Sequence, residues 1–297
     1  MCSHSAAVHI RLHIDVPRNA TQLQRNCKMD TPTFVGARKV APDVTTFAGF
    51  FPIGPLGILP ANAHFIHARE PILVDTSGVA FRDQFLAELT KVIDPVDLKW
   101  IYVSHTDLDH IGNLDAVLKL APNAKVVLPG LGAAKMGLRE GFDMSRLMPM
   151  DHGQRLDLGD RELVLLKPPT YDAPETTGFF DTKTRVLFSV DSFGALMDAP
   201  YEELAAVPEA TLRDGMAMWA GIDAPWLGMV DKARFGALLS DIERLDPAAI
   251  ISGHLPVADK AVTQRLFRNM LGGVATRIAG PDREAIEALF ADPMGVF

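Results

Sequence analysis

Apolar residues follow two regular patterns along this chain from about residue 40 onward. Short apolar runs at 71–75, 99–103 and 125–128 predict buried strands. Apolar residues at helical spacing lie between these runs, over 81–93 and 114–120, and predict helices that connect the strands. This alternation of strand and helix predicts an α/β fold rather than an all-β fold.

The second half of the chain continues with the same two kinds of element. Residues 162–166 and 185–190 are predicted strands separated by a turn at 181–184, and 249–251 is a predicted strand that leads into Ser252-Gly253-His254. Predicted helices fill 195–230 with breaks at prolines, 231–245 with Asp231 as N-cap, 258–271 and 282–290. With no internal repeat and no long linker, we expect one domain over residues 33–297, preceded by a disordered tail over residues 1–32.

Composition narrows the classes of function. Hydrophobic residues make up 48% of the 297, which allows a sizeable core. The net charge is −8, from 29 basic and 37 acidic residues, and no basic stripe is present, so we expect no nucleic-acid partner. No apolar run reaches the ~18–20 residues that span a bilayer, so we expect no membrane association. The two cysteines, Cys2 and Cys27, both lie in the predicted tail, which favours a reducing, cytoplasmic location.

The most informative segment is the polar stretch that follows the strand at 99–103. Within six positions it carries two imidazoles and two carboxylates, which are His105, Asp107, Asp109 and His110. Closely spaced carboxylates repel each other and an unpaired imidazole is costly to bury, whereas a divalent cation relieves both problems. A polar turn with aspartate as a helix N-cap explains only one of the four residues. The segment therefore predicts a metal site.

With these residues in place, the chain resembles the metallo-β-lactamase superfamily. The matching segments are Leu73-Val74-Asp75-Thr76, His105-x-Asp107-x-Asp109-His110, Phe188-Ser189-Val190-Asp191 and Gly253-His254, in the family's order. The resemblance implies an αββα sandwich, with two mixed sheets flanked by helices and a binuclear metal site at the sheet edge. The family's third motif has a histidine two positions before a proline, where this chain has Asp172 before Pro174. We carry the ligand role over to Asp172, with an ordinary turn aspartate as the alternative.

The resemblance also implies how the ligands divide between two metal ions. One ion would be held by His105, Asp107, Asp172 and Asp191, and the other by Asp109, His110, Asp191 and His254. Most zinc hydrolases of this superfamily use more imidazoles. Oxygen-rich ligation favours iron or manganese over zinc, so we expect two metal ions with iron preferred.

The aspartate at position 107 points to one branch of the superfamily. A carboxylate at this position is typical of flavodiiron proteins and their stand-alone oxygen-binding relatives, and Asp191-Ser192-Phe193-Gly194 also resembles their bridging-aspartate segment. The resemblance implies a di-iron centre that binds or reduces dioxygen. Flavodiiron proteins carry a flavodoxin domain after the metal domain, and the residues after His254 are too few for one. Electrons would therefore come from a separate redox partner.

Two other functions stay open at this point. One is a metal-dependent hydrolase, in which a bridging hydroxide attacks an ester, lactone, thioester or amide and Asp109 orients or deprotonates the water. The other is a sensor that uses the site only for binding. Members of the superfamily often dimerise, so the resemblance also allows a homodimer.

Several residues near the motifs have secondary interpretations. Tyr171 is a candidate proton or hydrogen-bond donor to a bound oxygen species, with a core tyrosine as the alternative. Asp75 is expected to support a ligand histidine rather than bind metal. His64 is expected at the surface or behind a ligand, and Trp219 and Trp226 are expected in the core, with a pocket lining as the alternative.

Overall fold

The computed structural model describes residues 31–274 and residue 287. The tail predicted over residues 1–32 lies outside this range except for residues 31 and 32. The helix predicted over 282–290 also lies outside it, except for Glu287, which is helical. Among the described residues, no helix is both long enough and apolar enough to cross a membrane.

The first sheet has seven strands that lie side by side in chain order. The first four strands pair antiparallel with one another, and the strands from the fourth to the seventh pair parallel. The strands are β1 (Thr33–Ala41), β2 (Val44–Pro52), β3 (Ile58–Ile66), β4 (Ile72–Val74), β5 (Trp100–Tyr102), β6 (Lys125–Leu128) and β7 (Leu147–Pro149).

The second sheet has six strands in the order β13-β12-β11-β10-β9-β8. Only β11 and β12 pair parallel, so this sheet is mixed as well. Its strands are β8 (Arg155–Asp157), β9 (Glu162–Leu166), β10 (Gly178–Asp181), β11 (Val186–Phe188), β12 (Ala249–Ser252) and β13 (Leu255–Asp259).

Residues 31–274 contain seven α-helices. They are α1 (Arg82–Val92), α2 (Leu108–Ile111), α3 (Leu114–Leu120), α4 (Gly130–Met136), α5 (Glu209–Asp223), α6 (Lys232–Glu243) and α7 (Lys260–Gly273). Asp231 caps α6 as predicted, because its side chain accepts a hydrogen bond from the Arg234 amide at 2.8 Å. The helix predicted from residue 258 begins at Lys260, since β13 continues to Asp259.

The two sheets pack face to face with helices on both outer sides. In β4, Val74 joins the cluster between the sheets and Leu73 joins the cluster under α1 and α3. In β11, Phe188 joins the inner cluster and Leu187 packs toward α5, α6 and α7. Successive strand residues point to opposite faces, so a strand covered on both faces must be apolar throughout. The α/β sandwich predicted from the sequence is confirmed.

A candidate metal centre at the strand ends

The predicted ligands come together where the carboxyl ends of strands from both sheets meet. Asp191 follows β11, His254 follows β12, and the segment 105–110 follows β5. Side chains at this edge of a layered α/β fold converge on one place because the strands that carry them run in the same direction. The geometry thus explains how motifs about 150 residues apart build one site.

Two non-glycine residues at these strand ends have left-handed backbone conformations. Asp75 and Val190 both have a φ of 57°. This conformation is rare, above all for a β-branched residue, and costs on the order of 1–3 kcal/mol each. Local hydrogen bonds hold both positions, since the Asp75 amide donates to the Tyr102 carbonyl at 2.8 Å and the Gly253 amide donates to the Val190 carbonyl at 2.8 Å. The strained backbone therefore lies at the strand ends from which the site residues project.

The three imidazoles present their Nε2 atoms to the Asp191 carboxylate. Nε2 of His110 and of His254 lie 3.0 and 3.2 Å from Asp191 Oδ1, and Nε2 of His105 lies 3.5 Å from Asp191 Oδ2. His254 Nε2 also lies 3.2 Å from Asp109 Oδ2. Asp107 and Asp172 complete the cluster, each with an oxygen 4.0 Å from His105 Nε2.

The opposite nitrogen of each ring is anchored from behind. His110 Nδ1 lies 2.8 Å from Asp75 Oδ2, His254 Nδ1 lies 2.7 Å from the Pro60 carbonyl, and His105 Nδ1 lies 3.1 Å from Ser104 Oγ. A carboxylate or carbonyl behind a metal-binding histidine fixes the tautomer and leaves Nε2 as the ligand atom. The supporting contact expected for Asp75 is present.

Buried polar atoms in the cluster lack hydrogen-bond partners among the described residues. Both carboxylate oxygens of Asp191 and Nε2 of His110 are in this state, although both side chains are 2% exposed. Buried polar atoms are normally paired, and a cation between them satisfies all three at once. Groups of ligand atoms within 4.8 Å of one another include His105–His110–Asp191, Asp109–His110–His254 and His105–Asp107–Asp172. The donor set therefore fits a binuclear metal centre.

The structure brings together all seven residues predicted to bind metal, and it places Tyr171 beside them. The Tyr171 ring packs against the Trp226 ring at 5.2 Å and under the Lys167 ammonium at 3.7 Å. Among the described residues, no hydrogen bond joins the Tyr171 hydroxyl to the cluster. The proton-donor role of Tyr171 stays a prediction.

The structure adds detail at three residues near the cluster. Of the two positions expected for His64, the structure has the one away from the surface, since His64 is 1% exposed and contacts Thr46 Oγ1 and the Ser252 carbonyl, two residues before His254. Trp219 is half-buried against the site rather than in the core, and its indole donates to the Asp191 carbonyl at 3.1 Å. Asp223 was not predicted, yet one of its oxygens lies within 4.8 Å of ligand atoms of Asp172 and Asp191. No sequence motif marks Asp223, since it lies at the end of a helix far from the other segments.

The charges in the cluster shift the pKa values of its members in opposite directions. Burial works against the charged form of His254, but the adjacent carboxylates of Asp109 and Asp191 outweigh it and raise the pKa of His254 to about 10. The same carboxylates raise the pKa of His110 well above its usual value against burial. The histidines in turn lower the pKa of Asp191 well below its usual value, again against burial. Burial and then the charge of Asp191 raise the pKa of Asp223 to about 8.

Metal binding should release protons and should tighten as pH rises. A raised histidine pKa means that the metal-free protein holds the imidazole protonated at neutral pH and loses this proton only near pH 10 for His254. Metal binding requires the neutral ring, so we expect the dissociation constant for Mn²⁺ to fall about tenfold per pH unit for each proton released between pH 6.5 and 8.5. Calorimetric titration in buffers of different ionisation enthalpy counts these protons. A pH-independent affinity would contradict the expectation.

Comparison with known families identifies relatives of the chain. A family model described as ODP family beta lactamase matches residues 59–254, which is about two thirds of the chain and includes every predicted ligand. The diflavin flavoprotein A 1 of Synechocystis sp. is 34% identical over 139 residues, covering 45% of this chain and 23% of the relative. The chain spans 23–47% of the length of eight curated relatives that it matches.

Solved structures of named proteins have the same fold. The rubredoxin oxygen:oxidoreductase of Desulfovibrio gigas superposes with a TM-score of 0.70 at 20% identity, covering 80% of this chain and 61% of that one. The flavodiiron protein of Giardia intestinalis superposes with a TM-score of 0.66 at 17% identity, covering 82% and 61% of the two chains. At these identities the likeness establishes the fold.

Proposed function

Because the chain belongs to the ODP family of β-lactamase-like proteins, we propose that its metal centre holds two iron ions and binds or reduces dioxygen. The observation that carries the proposal is the donor set. Three imidazoles and three further carboxylates converge around Asp191, and the buried oxygens of Asp191 have no hydrogen-bond partner among the described residues. Oxygen-rich, anionic ligation favours iron or manganese over zinc.

The proposed ligands divide between two ions that share Asp191. One ion would be held by His105, Asp107, Asp172 and Asp191, and the other by Asp109, His110, Asp191 and His254. When bound, the iron pair supplies the redox chemistry that amino-acid side chains lack. The protein holds the ligands in place, sets their charge and controls access.

Access to the cluster differs between its two sides. The side chains of His105, His110 and Asp191 are each 2% exposed, whereas that of Asp107 is 50% exposed. A small diatomic molecule would therefore approach along the side of Asp107 and Asp172. Trp219 covers the His254 ring, from which its own ring lies 4.6 Å.

Contacts of two charged side chains hold the segments that carry Asp107 and Asp172. Glu175, whose side chain is fully buried, pairs with Lys135 and accepts a hydrogen bond from Thr106 at 3.2 Å. Lys167 donates to the carbonyls of Pro174 and Thr176 at 2.7 and 2.9 Å. These bonds fix the loop that carries Asp172 against the segment that carries Asp107. They keep the two most exposed carboxylates in position without blocking the opening.

We also propose a separate redox partner as the electron source. The Desulfovibrio gigas protein is named for a reaction between rubredoxin and oxygen. The hydrolase alternative has less support, since the relatives named above are described as flavoproteins or as an oxygen oxidoreductase.

Metal analysis of the full chain expressed without added metal tests this proposal. We expect about two irons per chain, and we expect the chemically reduced protein to consume dioxygen while a zinc-loaded sample does not. An Asp107→His variant should raise the zinc share, because imidazole replaces a hard oxygen ligand. Asp115→His is the matched control, since Asp115 is exposed on α3 and pairs with Arg139. Two zincs per chain with reductant-independent ester, lactone or thioester hydrolysis would overturn the proposal.

A further inference from the structure

One face of helix α5 lies directly against the metal centre. Trp219 and Asp223 are four residues apart on this helix and therefore project from the same face. The Trp219 indole donates to the Asp191 carbonyl at 3.1 Å, and its ring packs 4.6 Å from the His254 ring. These two contacts fix the last turn of α5 relative to two of the proposed ligands.

Asp223, the last residue of α5, lies in that turn beside the cluster. One oxygen each from Asp172, Asp191 and Asp223 lie within 4.8 Å of one another. The Asp191 side chain is 2% exposed, and neither of its oxygens has a hydrogen-bond partner among the described residues. An unsatisfied, buried carboxylate therefore faces the same small space as Asp223.

The placement of Asp223 is electrostatically unfavourable without a cation. The C-terminus of a helix carries partial negative charge, so a carboxylate there is repelled by the helix as well as by Asp172 and Asp191. Within residues 31–274, no lysine or arginine lies within 4.0 Å of the Asp223 carboxylate. By contrast, the partly buried Asp214 on the same helix pairs with Arg213 at 2.9 Å. A metal ion between the three carboxylates removes the conflict.

We propose that Asp223 is a further metal ligand, which binds the ion on the side of Asp172 and Asp191. This inference rests on the proposed metal centre and adds a ligand that none of the sequence motifs contains. It gives the centre five carboxylates against three imidazoles. The added negative charge favours ions of higher charge and hard, oxygen-preferring ions.

Metal titration of the metal-free full chain tests the inference. Mn²⁺ affinity and the visible absorption of Co²⁺ would be measured for the wild type, for Asp223→Asn and for Asp214→Asn. Asp214→Asn is the matched control, because it makes the same chemical change on the same helix at a residue that pairs with Arg213. Asp223→Asn should weaken the binding of one ion by at least about tenfold and shift the Co²⁺ spectrum, while Asp214→Asn should leave both within about twofold.

Each outcome bears on one proposal or both. If the wild type binds two ions and Asp223→Asn has the same affinity and spectrum, this inference is overturned. The proposed metal centre is then unaffected. A wild type that binds no Mn²⁺ or Co²⁺ overturns both. Asp223→Ser is a second variant, and it should show the same weakened binding. Circular dichroism of the metal-free variants reports on folding, and if both lose their helical signal then Asp223 has a structural role and the inference fails.

Discussion

Replacing Arg161 with methionine should lower the free energy of unfolding by about 3–5 kcal/mol. The Arg161 side chain is fully buried and pairs with Asp160, Asp43 and Asp181 at 2.8, 2.9 and 3.3 Å. It also donates to the His67 carbonyl at 3.2 Å. Removal of the guanidinium leaves the Asp181 carboxylate, which is also fully buried, without its cation. An uncompensated buried charge is among the costliest defects that a single substitution creates.

Urea unfolding of the variant and of a matched control measures this effect. Arg155→Met makes the same chemical change at a side chain that is 58% exposed and pairs with Glu162 at 2.7 Å, so it should cost less than about 1 kcal/mol. Equal unfolding midpoints for the two variants would contradict the expectation.

The stability that Arg161 provides should also depend on pH. Hydrogen bonds from Arg161 lower the pKa values of Asp160 and Asp43. A lowered acid pKa contributes stability above the unfolded value near 4, and this contribution is lost as the pH falls through the folded value. The difference between wild type and Arg161→Met should therefore shrink as the pH is lowered below about 4.

The strands that were predicted correctly have apolar residues on both faces. The cores of β4, β5, β6 and β12 read as short, uninterrupted apolar runs because helices cover one face and the other sheet covers the second. The strands β1, β2 and β3 were not predicted, since their sequences mix threonine, glycine, proline and alanine with aromatic residues. Their assignment depends on pairing with one another, which no local pattern expresses.

Part of the candidate site could be predicted from the sequence because its members are grouped in short segments. Four of the seven proposed ligands lie between residues 105 and 110, where the density of metal-binding side chains is itself the signal. Asp223 carries no such signal, since a single aspartate at a helix end is ordinary in sequence. Only the packing of α5 against β11 and β12 brings it to the centre. For His64 the sequence left a surface position and a position behind a ligand open, because a histidine in a strand does not show which face is buried.

The second large effect concerns the bridging residue, for which Asp191→Asn should weaken the binding of both metal ions by at least about 100-fold. Asp191 lies within 3.0–3.5 Å of Nε2 of all three site histidines, so it is the one carboxylate shared by both proposed ligand sets. Asparagine preserves its shape but offers one neutral oxygen and a nitrogen that binds metal poorly. Without the negative charge of the carboxylate, the repulsion between the two positive ions would also be less well compensated.

A matched variant separates loss of metal from loss of folding. Asp181→Asn makes the identical change at an equally buried aspartate that pairs with Arg161 and does not touch the centre. It should lower the unfolding free energy yet retain both ions, whereas Asp191→Asn should lose the ions. Asp191→Asn should also lower the pKa of His254 from about 10 toward its usual value, because the charge of the nearby Asp191 carboxylate contributes to the raised value. Elemental analysis and an imidazole NMR titration of the metal-free chain read out both effects. Retention of two ions by Asp191→Asn would show that the two sites do not share this carboxylate.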